Sequence, residues 1–322
     1  MRIAYLITAY TDSPQLARLI ERLTCEEAYF FVHVDSRSDI RPFEEAVAGL
    51  KRVRFTERRI DMVWGSFRQV ECQLLLMTAA MESGIGFDWL FFTSAQDFPI
   101  WSNRRIADYL AQRGGRELIM GIDMTRQKEE ISRPYTVYYP LNNHRYVGGT
   151  LRSKFRVALR RTLYALGKRK RLTFEADGRT WRLHKGSDWF AFTPRLARVV
   201  MDAWANCPEL RKWFRTSRIP SETFIHTVVF SSPMAESCTL ATGDYTTLAD
   251  LTPNTFIDYA TTIKVMDEGD VDRVLRSGKM FARKVVTGKS DAFVSAIDAV
   301  RERNDDGNDA TPRSPLNIYN KV

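Results

Sequence analysis

A chain of 322 residues with 44 % hydrophobic and 12 % aromatic content is long enough for one large α/β domain or two small ones, and rich enough for a substantial core. Four widely spaced cysteines (Cys25, Cys72, Cys207, Cys238) without a C-x-x-C pair, and only four histidines, argue against a disulfide framework or structural zinc and for a reducing compartment. The net charge of +9 is local: residues 151–171 hold nine Lys and Arg and no acid, and the remaining 39 basic residues balance 39 acids.

The N-terminal run Ile3-Ala4-Tyr5-Leu6-Ile7 is too short for the apolar core of a signal peptide and reads as a first strand over residues 2–9. Nowhere does an apolar run approach the ~18 residues of a membrane-spanning helix. Thr11-Asp12-Ser13-Pro14 caps a helix to Leu23, with Leu16, Leu19, Ile20 and Leu23 on one face. Tyr29 to Asp35 is a second strand with almost no polar interruption, as a central parallel strand requires. Asp35 at its end is placed to bond a ribose or base. The turn Thr8-Ala9-Tyr10-Thr11-Asp12 lacks the glycines of G-x-G-x-x-G, which argues against a dinucleotide oxidoreductase.

Val53 to Thr56 reads as a short third strand, and Ser66 caps a helix that stops at Gly84. Phe87 to Thr93 is a strand leading into Ser94-Ala95-Gln96-Asp97, a polar cluster where open α/β sheets bind ligands. A helix capped by Ser102 and a strand over residues 117–122 continue the alternation. The pattern predicts a mostly parallel sheet covered by helices. Residues 124–182 break the rhythm. Within them Leu151, Phe155, Ala158/Leu159, Thr162 and Leu166 recur at helical spacing among the cations, predicting a basic amphipathic helix. Beside anionic lipid such a helix gains about 1 kcal/mol per basic residue. A solvated face or a dock for an acidic acceptor reads the same pattern. Arg152, Arg156, Arg160, Lys168 and Arg169 are the candidate contacts.

Two stretches carry most of the chemistry. In Lys185-Gly186-Ser187-Asp188-Trp189-Phe190-Ala191-Phe192-Thr193, residues 189–193 read as a buried strand with Asp188 at its entrance, and Thr193-Pro194 opens a helix. In Ile219 to Thr227, Pro220 at the first helical position places Glu222 at the third, facing free N–H groups that favour an ionised carboxylate. Each acid taken alone also reads as an ordinary turn or helix-start residue. Residues 239–278 show no clear pattern. In Lys279 to Val285, the adjacent cations Arg283 and Lys284 suit phosphate.

Taken in order, His33-Val34-Asp35-Ser36-Arg37-Ser38, Val63-Trp64-Gly65, Ser94 to Ile100, Gly186 to Phe190, Pro220 to Thr227 and Phe281-Ala282-Arg283-Lys284 resemble the core-2/I-branching β-1,6-N-acetylglucosaminyltransferase family. That family also contains the peptide O-xylosyltransferases, and the S-D-W-F, P-x-E-x-F-x-H-T and F-A-R-K motifs are closer to that branch. The resemblance implies a GT-A-type fold, a Rossmann-like sheet flanked by helices. It would form a single catalytic domain over residues 1–303, with 124–182 as an acceptor-side insertion and 304–322 as a flexible tail. It further implies inverting transfer of GlcNAc or xylose from a UDP-sugar to a hydroxyl of a glycan. Asp35 would contact the uridine, with Trp64 and Asp97 on the same side and Arg283 and Lys284 on the diphosphate. Trp189 and His226 would line the acceptor pocket. Glu222 matches the base of the N-acetylglucosaminyltransferases and Asp188 that of the xylosyltransferases, so both stay candidates. No metal is expected; the Asp270-Val271-Asp272 triplet lies late in the chain. With few cysteines and no evident export signal or anchor, the chain resembles a bacterial, cytoplasmic version that extends a surface glycan, lipid-linked or free, near the inner leaflet. Two other classes fit the residues: a non-catalytic sugar-nucleotide or glycan-binding protein, and a peripheral membrane or nucleic-acid adaptor built around the basic helix; no nucleic acid is expected as a partner, because no nucleic-acid module accompanies the charge.

Overall fold

The computed structural model describes residues 1–259 and 262–305. The apolar runs at the start of the chain alternate with helices: β1 (Ile3–Ala9), α1 (Ser13–Leu23), β2 (Ala28–Val34), α2 (Arg41–Val47), β3 (Val53–Phe55), α3 (Phe67–Met81) and β4 (Trp89–Ser94). Then come β5 (Asp97–Pro99), α4 (Asn103–Ala111), β6 (Met120–Asp123), α5 (Glu129–Ser132) and α6 (Leu151–Ala165). Four short strands, β7 (Thr173–Ala176), β8 (Arg179–Arg182), β9 (His184–Lys185) and β10 (Ala191–Phe192), precede α7 (Pro194–Asn206), α8 (Pro208–Phe214) and α9 (Phe224–Phe230). The chain continues through β11 (Thr239–Ala241), β12 (Thr255–Ile257), α10 (Val271–Arg276), β13 (Phe281–Arg283) and α11 (Asp291–Asp305).

The main sheet has the order β10-β4-β1-β2-β3, parallel except for β10, which runs antiparallel to β4. Side chains alternate across β1, as strand geometry demands. Ile3, Tyr5 and Ile7 pack with Leu16, Leu19 and Ile20 of α1 and Phe293 and Ile297 of α11. Ala4 and Leu6 face the opposite layer, where Phe67, Val70 and Met77 of α3 meet Leu196 and Val200 of α7. The result is the helix–sheet–helix layering expected from the alternation. Because β2 and β3 lie on one side of β1 and β4 on the other, the strand order reverses between β1 and β4, where such sheets open a crevice for ligands.

Three local details depart from the pattern reading. The strand expected over residues 189–193 is only Ala191–Phe192, so Asp188 and Trp189 stay in the approach loop. Thr193 precedes α7 without capping it: its N–H and hydroxyl each donate to the Glu117 carboxylate, both at 2.7 Å. Pro220–Glu222 forms a 3-10 turn, and α9 starts only at Phe224. Glu222 is therefore the third residue of a turn tight enough to bring Ser221 beside Asp188. Helix α11 runs through Asp305, and the rest of the tail expected from residue 304 lies outside the described residues.

Candidate active site

The crevice at the strand reversal is closed at its floor by residues just past β1 and β4. The Tyr10 hydroxyl donates to Gln96 Oε1 at 3.0 Å, spanning the two strand ends. Beside it Asp97 is fully buried. Its Oδ2 accepts from the Thr93 hydroxyl at 2.8 Å, the Ser94 N–H at 2.8 Å and Trp189 Nε1 at 2.9 Å. Its Oδ1 accepts from Arg283 Nη1 at 2.9 Å. Strand β13 delivers that arginine, pairing antiparallel with β5 so that Arg283 stands opposite Asp97. Arg283 also donates to Ser94 Oγ at 2.7 Å and lies 5.0 Å over the Trp189 ring. Its Nε is buried without a partner, and no hydrogen bond or ion pair holds the half-buried Lys284 ammonium among the described residues. Arg283 thus keeps a donor beyond the four bonds that saturate Asp97, and Lys284 follows it in sequence with its ammonium uncommitted among the described residues. Such a place attracts a phosphate or diphosphate.

Asp35, at the end of β2, is almost fully buried. It accepts from the N–H groups of Arg37 at 3.0 Å and Met62 at 3.2 Å, and pairs with Arg145 at 3.2 Å. Arg145 comes from the irregular segment before α6 and also pairs with Asp61 at 3.1 Å. Nothing in the sequence marks Arg145, because the contact joins residues 110 positions apart.

Asp188 and Glu222 lie in one cluster, through Ser221, but in unlike surroundings. Asp188 is half-buried and is held by neutral donors: Gln73 Nε2 at 3.1 Å on Oδ1 and the Ser221 hydroxyl at 3.2 Å on Oδ2. Burial, reinforced by repulsion from Glu222, pushes its carboxyl from an ordinary 3.8 up to about 7, against the pull of Ser221, Lys185 and Gln73. Glu222 is instead ion-paired with the buried Lys185. Burial is the largest single influence and works against the Lys185 charge, but the attraction and hydrogen bond of Glu222 together with Tyr135 and Tyr245 outweigh it and hold the ammonium above its ordinary value. Gly186 sets the geometry between them: its N–H donates to the Glu222 carbonyl at 2.8 Å. A Cβ there would stand 2.1 Å from His226 Nε2 and 2.3 Å from the Met120 carbonyl oxygen, so only glycine fits.

Other residues singled out in the sequence are placed differently. His226 does not line a pocket: it is fully buried behind Gly186, edge-on to Phe190, with neither ring nitrogen partnered. Burial first, then the charge of Lys185, pushes its imidazole down to about 3, so it is a neutral packing group. Trp64 is 80 % exposed and stands in a cleft with Tyr139, Arg156 and Arg160. The basic segment divides. Lys170 is buried against the Trp213 ring and bonds Ser217 Oγ at 2.6 Å, with its ammonium pushed down to about 6 by burial. Arg169 folds back over Tyr164. Arg152 and Lys168 are exposed. Asp270 is occupied by Lys264 and Arg273, both at 2.7 Å, and by the Asp267 N–H in a capping box of the 3-10 turn Glu268–Asp270 that precedes α10. Among the described residues no three His, Cys, Asp or Glu side chains gather as a metal site. Gln73, Lys185 and Ser221, which hold the two acids, escaped the sequence reading. Only their adjacency to the motifs marks Lys185 and Ser221, and nothing local marks Gln73.

The chain in which Asp97 holds Arg283, with Asp188 and Glu222 linked to them through Trp189 and Ser221, is similar to several known proteins. Xylosyltransferase 2 of Rattus norvegicus is 27 % identical over 250 residues, covering 74 % of this chain and 25 % of that protein. Xylosyltransferase oxt of Drosophila melanogaster is 25 % identical over 236 residues, covering 71 % and 24 %. The chain thus spans about a quarter of the length of these relatives. Among solved structures, a cytidylyltransferase from Leptospira borgpetersenii covers 100 % of this chain and 98 % of its own at 12 % identity and a TM-score of 0.35. The model of the Core-2/I-Branching enzyme family matches residues 3–273, from the first strand into α10, and the chain belongs to that family.

Proposed function

We propose that this chain transfers xylose or GlcNAc from a UDP-sugar to a glycan hydroxyl with inversion, using Asp188 as general base and Arg283 with Lys284 in place of a metal ion. One observation carries the reading. Trp189 directly follows Asp188, its indole donates to Asp97, and Asp97 holds Arg283, so base and anion site are joined by consecutive contacts. Asp188 has the affinity for a proton that a base needs near neutral pH, whereas Glu222 is committed to Lys185. In the reaction Asp188 takes the proton of the acceptor hydroxyl, whose oxygen attacks the anomeric carbon from the side opposite the leaving group. The bond from that carbon to the diphosphate breaks, and Arg283 and Lys284 meet the charge that develops on the departing oxygen. The Glu222–Lys185 pair keeps a fixed field and a fixed backbone around Asp188. Titration calorimetry with UDP in EDTA and in Mn²⁺ tests the cation pair: equal affinity in both supports it, and binding only with Mn²⁺ rejects it. Asp188→Asn is expected to lower turnover by ~100- to 10,000-fold with UDP affinity kept; unchanged turnover rejects the assignment and returns the role to Glu222.

We propose further that α6 lays the enzyme on an anionic membrane surface on the cytoplasmic side, where a bacterial surface glycan would be extended. A surface helix normally buries its apolar stripe. Here the stripe points outward: Leu151, Phe155 and Leu166 are 83 %, 60 % and 69 % exposed, flanked by the exposed cations Arg152, Lys154, Arg161 and Lys168. An apolar ridge bordered by cations alone suits lipid tails under acidic headgroups. No described helix is long and apolar enough to cross a membrane. Phe155→Asp is expected to abolish sedimentation with phosphatidylglycerol vesicles, and equal sedimentation of wild type with phosphatidylcholine vesicles would reject an anionic surface.

A further inference from the structure

The inward face of α6 carries a second set of arginines that neither the donor site nor the membrane reading uses. A cavity of about 290 Å³ lies between α6, the turn before α3 and the loop before Pro220. It is walled by Trp64, Tyr139, Arg156, Arg160, Arg218 and Ile219, among others, and no acid lines it. The three arginines face aromatic rings or a hydroxyl rather than carboxylates. Arg156 lies 4.2 Å over Tyr146, Arg160 lies 5.2 Å over Tyr139, and Arg218 Nη1 donates to the Tyr139 hydroxyl at 3.3 Å. No acid pairs with any of them among the described residues. Three guanidiniums, two held on rings and one on a hydroxyl, around one small cavity repel one another unless an anion joins them, and each keeps donors suited to a carboxylate or phosphate. Across the cavity Trp64 presents a bare indole face, an amphipathic surface on which the C–H face of a pyranose packs. The volume suits one sugar ring at the small end of ligand pockets. Ile219 connects the cavity to chemistry: it leads into the turn whose Ser221 bonds Asp188.

We infer that this cavity is an acceptor subsite for an acidic sugar, a residue bearing a carboxylate or phosphate that stacks on Trp64 and is gripped by Arg156, Arg160 and Arg218. This rests on the glycosyltransferase reading and adds the class of acceptor. The acidic residue is a neighbour of the sugar that receives the transfer, since the cavity reaches Asp188 only through the turn from Ile219 to Ser221 and does not contain it. Of the arginines on α6, Arg156 and Arg160 serve the acceptor, while the outward cations are left for a surface.

Hyaluronan tetrasaccharide, which carries carboxylates, and chitotetraose, a neutral chain of equal length, are titrated into the full chain at constant ionic strength, alongside UDP. The acidic chain is expected to bind at least about tenfold more tightly, because a charge-assisted bond to one guanidinium accounts for that factor. Arg156→Gln/Arg160→Gln is expected to erase the preference, and Trp64→Ala to weaken both oligosaccharides. Glycerol 1-phosphate, the polar part of an anionic lipid, serves as the control for a headgroup. If it binds and hyaluronan tetrasaccharide does not, the cavity belongs to lipid and the inference falls. Equal binding of the two tetrasaccharides, or an unchanged preference in the double variant, also overturns it. The UDP titration separates the two readings. UDP binding without preference for the acidic chain removes the subsite alone, and loss of UDP binding in wild type removes the glycosyltransferase reading beneath it.

Discussion

Lys185→Met isolates the role of the ion pair beside the base. The Lys185 side chain is 3 % exposed and that of Glu222 12 %, so the substitution leaves a carboxylate in a nearly dry site with its cation gone. Breaking such a pair from one side costs about 3–5 kcal/mol, because the stranded charge cannot recover its hydration. Urea unfolding followed by tryptophan fluorescence at pH 7.5 measures this loss directly. Removing both charges in Lys185→Met/Glu222→Leu should recover most of it, since no unpaired charge then remains. The ammonium also lowers the proton affinity of Asp188, so its loss should move the acid limb of the rate profile to higher pH. A single variant within about 1 kcal/mol of wild type, or a double variant no more stable than the single, would refute the reasoning.

The raised carboxyl of Asp188 links stability to pH. Its folded-state value of about 7 lies above the ordinary 3.8, so between these limits the folded chain binds more protons than the unfolded one. Its contribution to stability is therefore full below about pH 4 and is lost as pH rises to about 7; Asp188→Asn should flatten that part of the unfolding profile, and an unchanged slope would assign it to another group. Lys284→Ala should weaken UDP about tenfold or more by calorimetry, and equal affinity would remove this residue from the donor site. Gly186→Ala forces a Cβ against the His226 ring and the Met120 carbonyl oxygen, and should cost about 1–3 kcal/mol in urea together with turnover. Full activity in that variant would show that the loop tolerates displacement.

Pattern alone carried the sheet, because buried parallel strands such as residues 28–34 need continuous apolar runs and their helices need a 3.6-residue stripe. It also carried the ordered motifs behind the family resemblance, with Asp35, Asp97, Asp188, Glu222 and the Arg283-Lys284 pair each at or beside the end of a regular element. The stripe on α6 was equally legible; which way it faced was not, as a helical period has no reference to inside and outside. Whether Asp188 or Glu222 is free to take a proton depended on Lys185, Gln73 and Ser221, whose contacts with the two acids exist only once β9, α3 and the turn at Pro220 are packed together. His226 followed the same rule: the motif names it, but the absent Cβ of Gly186 draws it into the core. Local chemistry and periodicity are written along the chain and can be read there. Proton affinity, burial and the gathering of Arg156, Arg160 and Arg218 around Trp64 are set by charges and surfaces distant in sequence, and so they were decided by the tertiary structure alone.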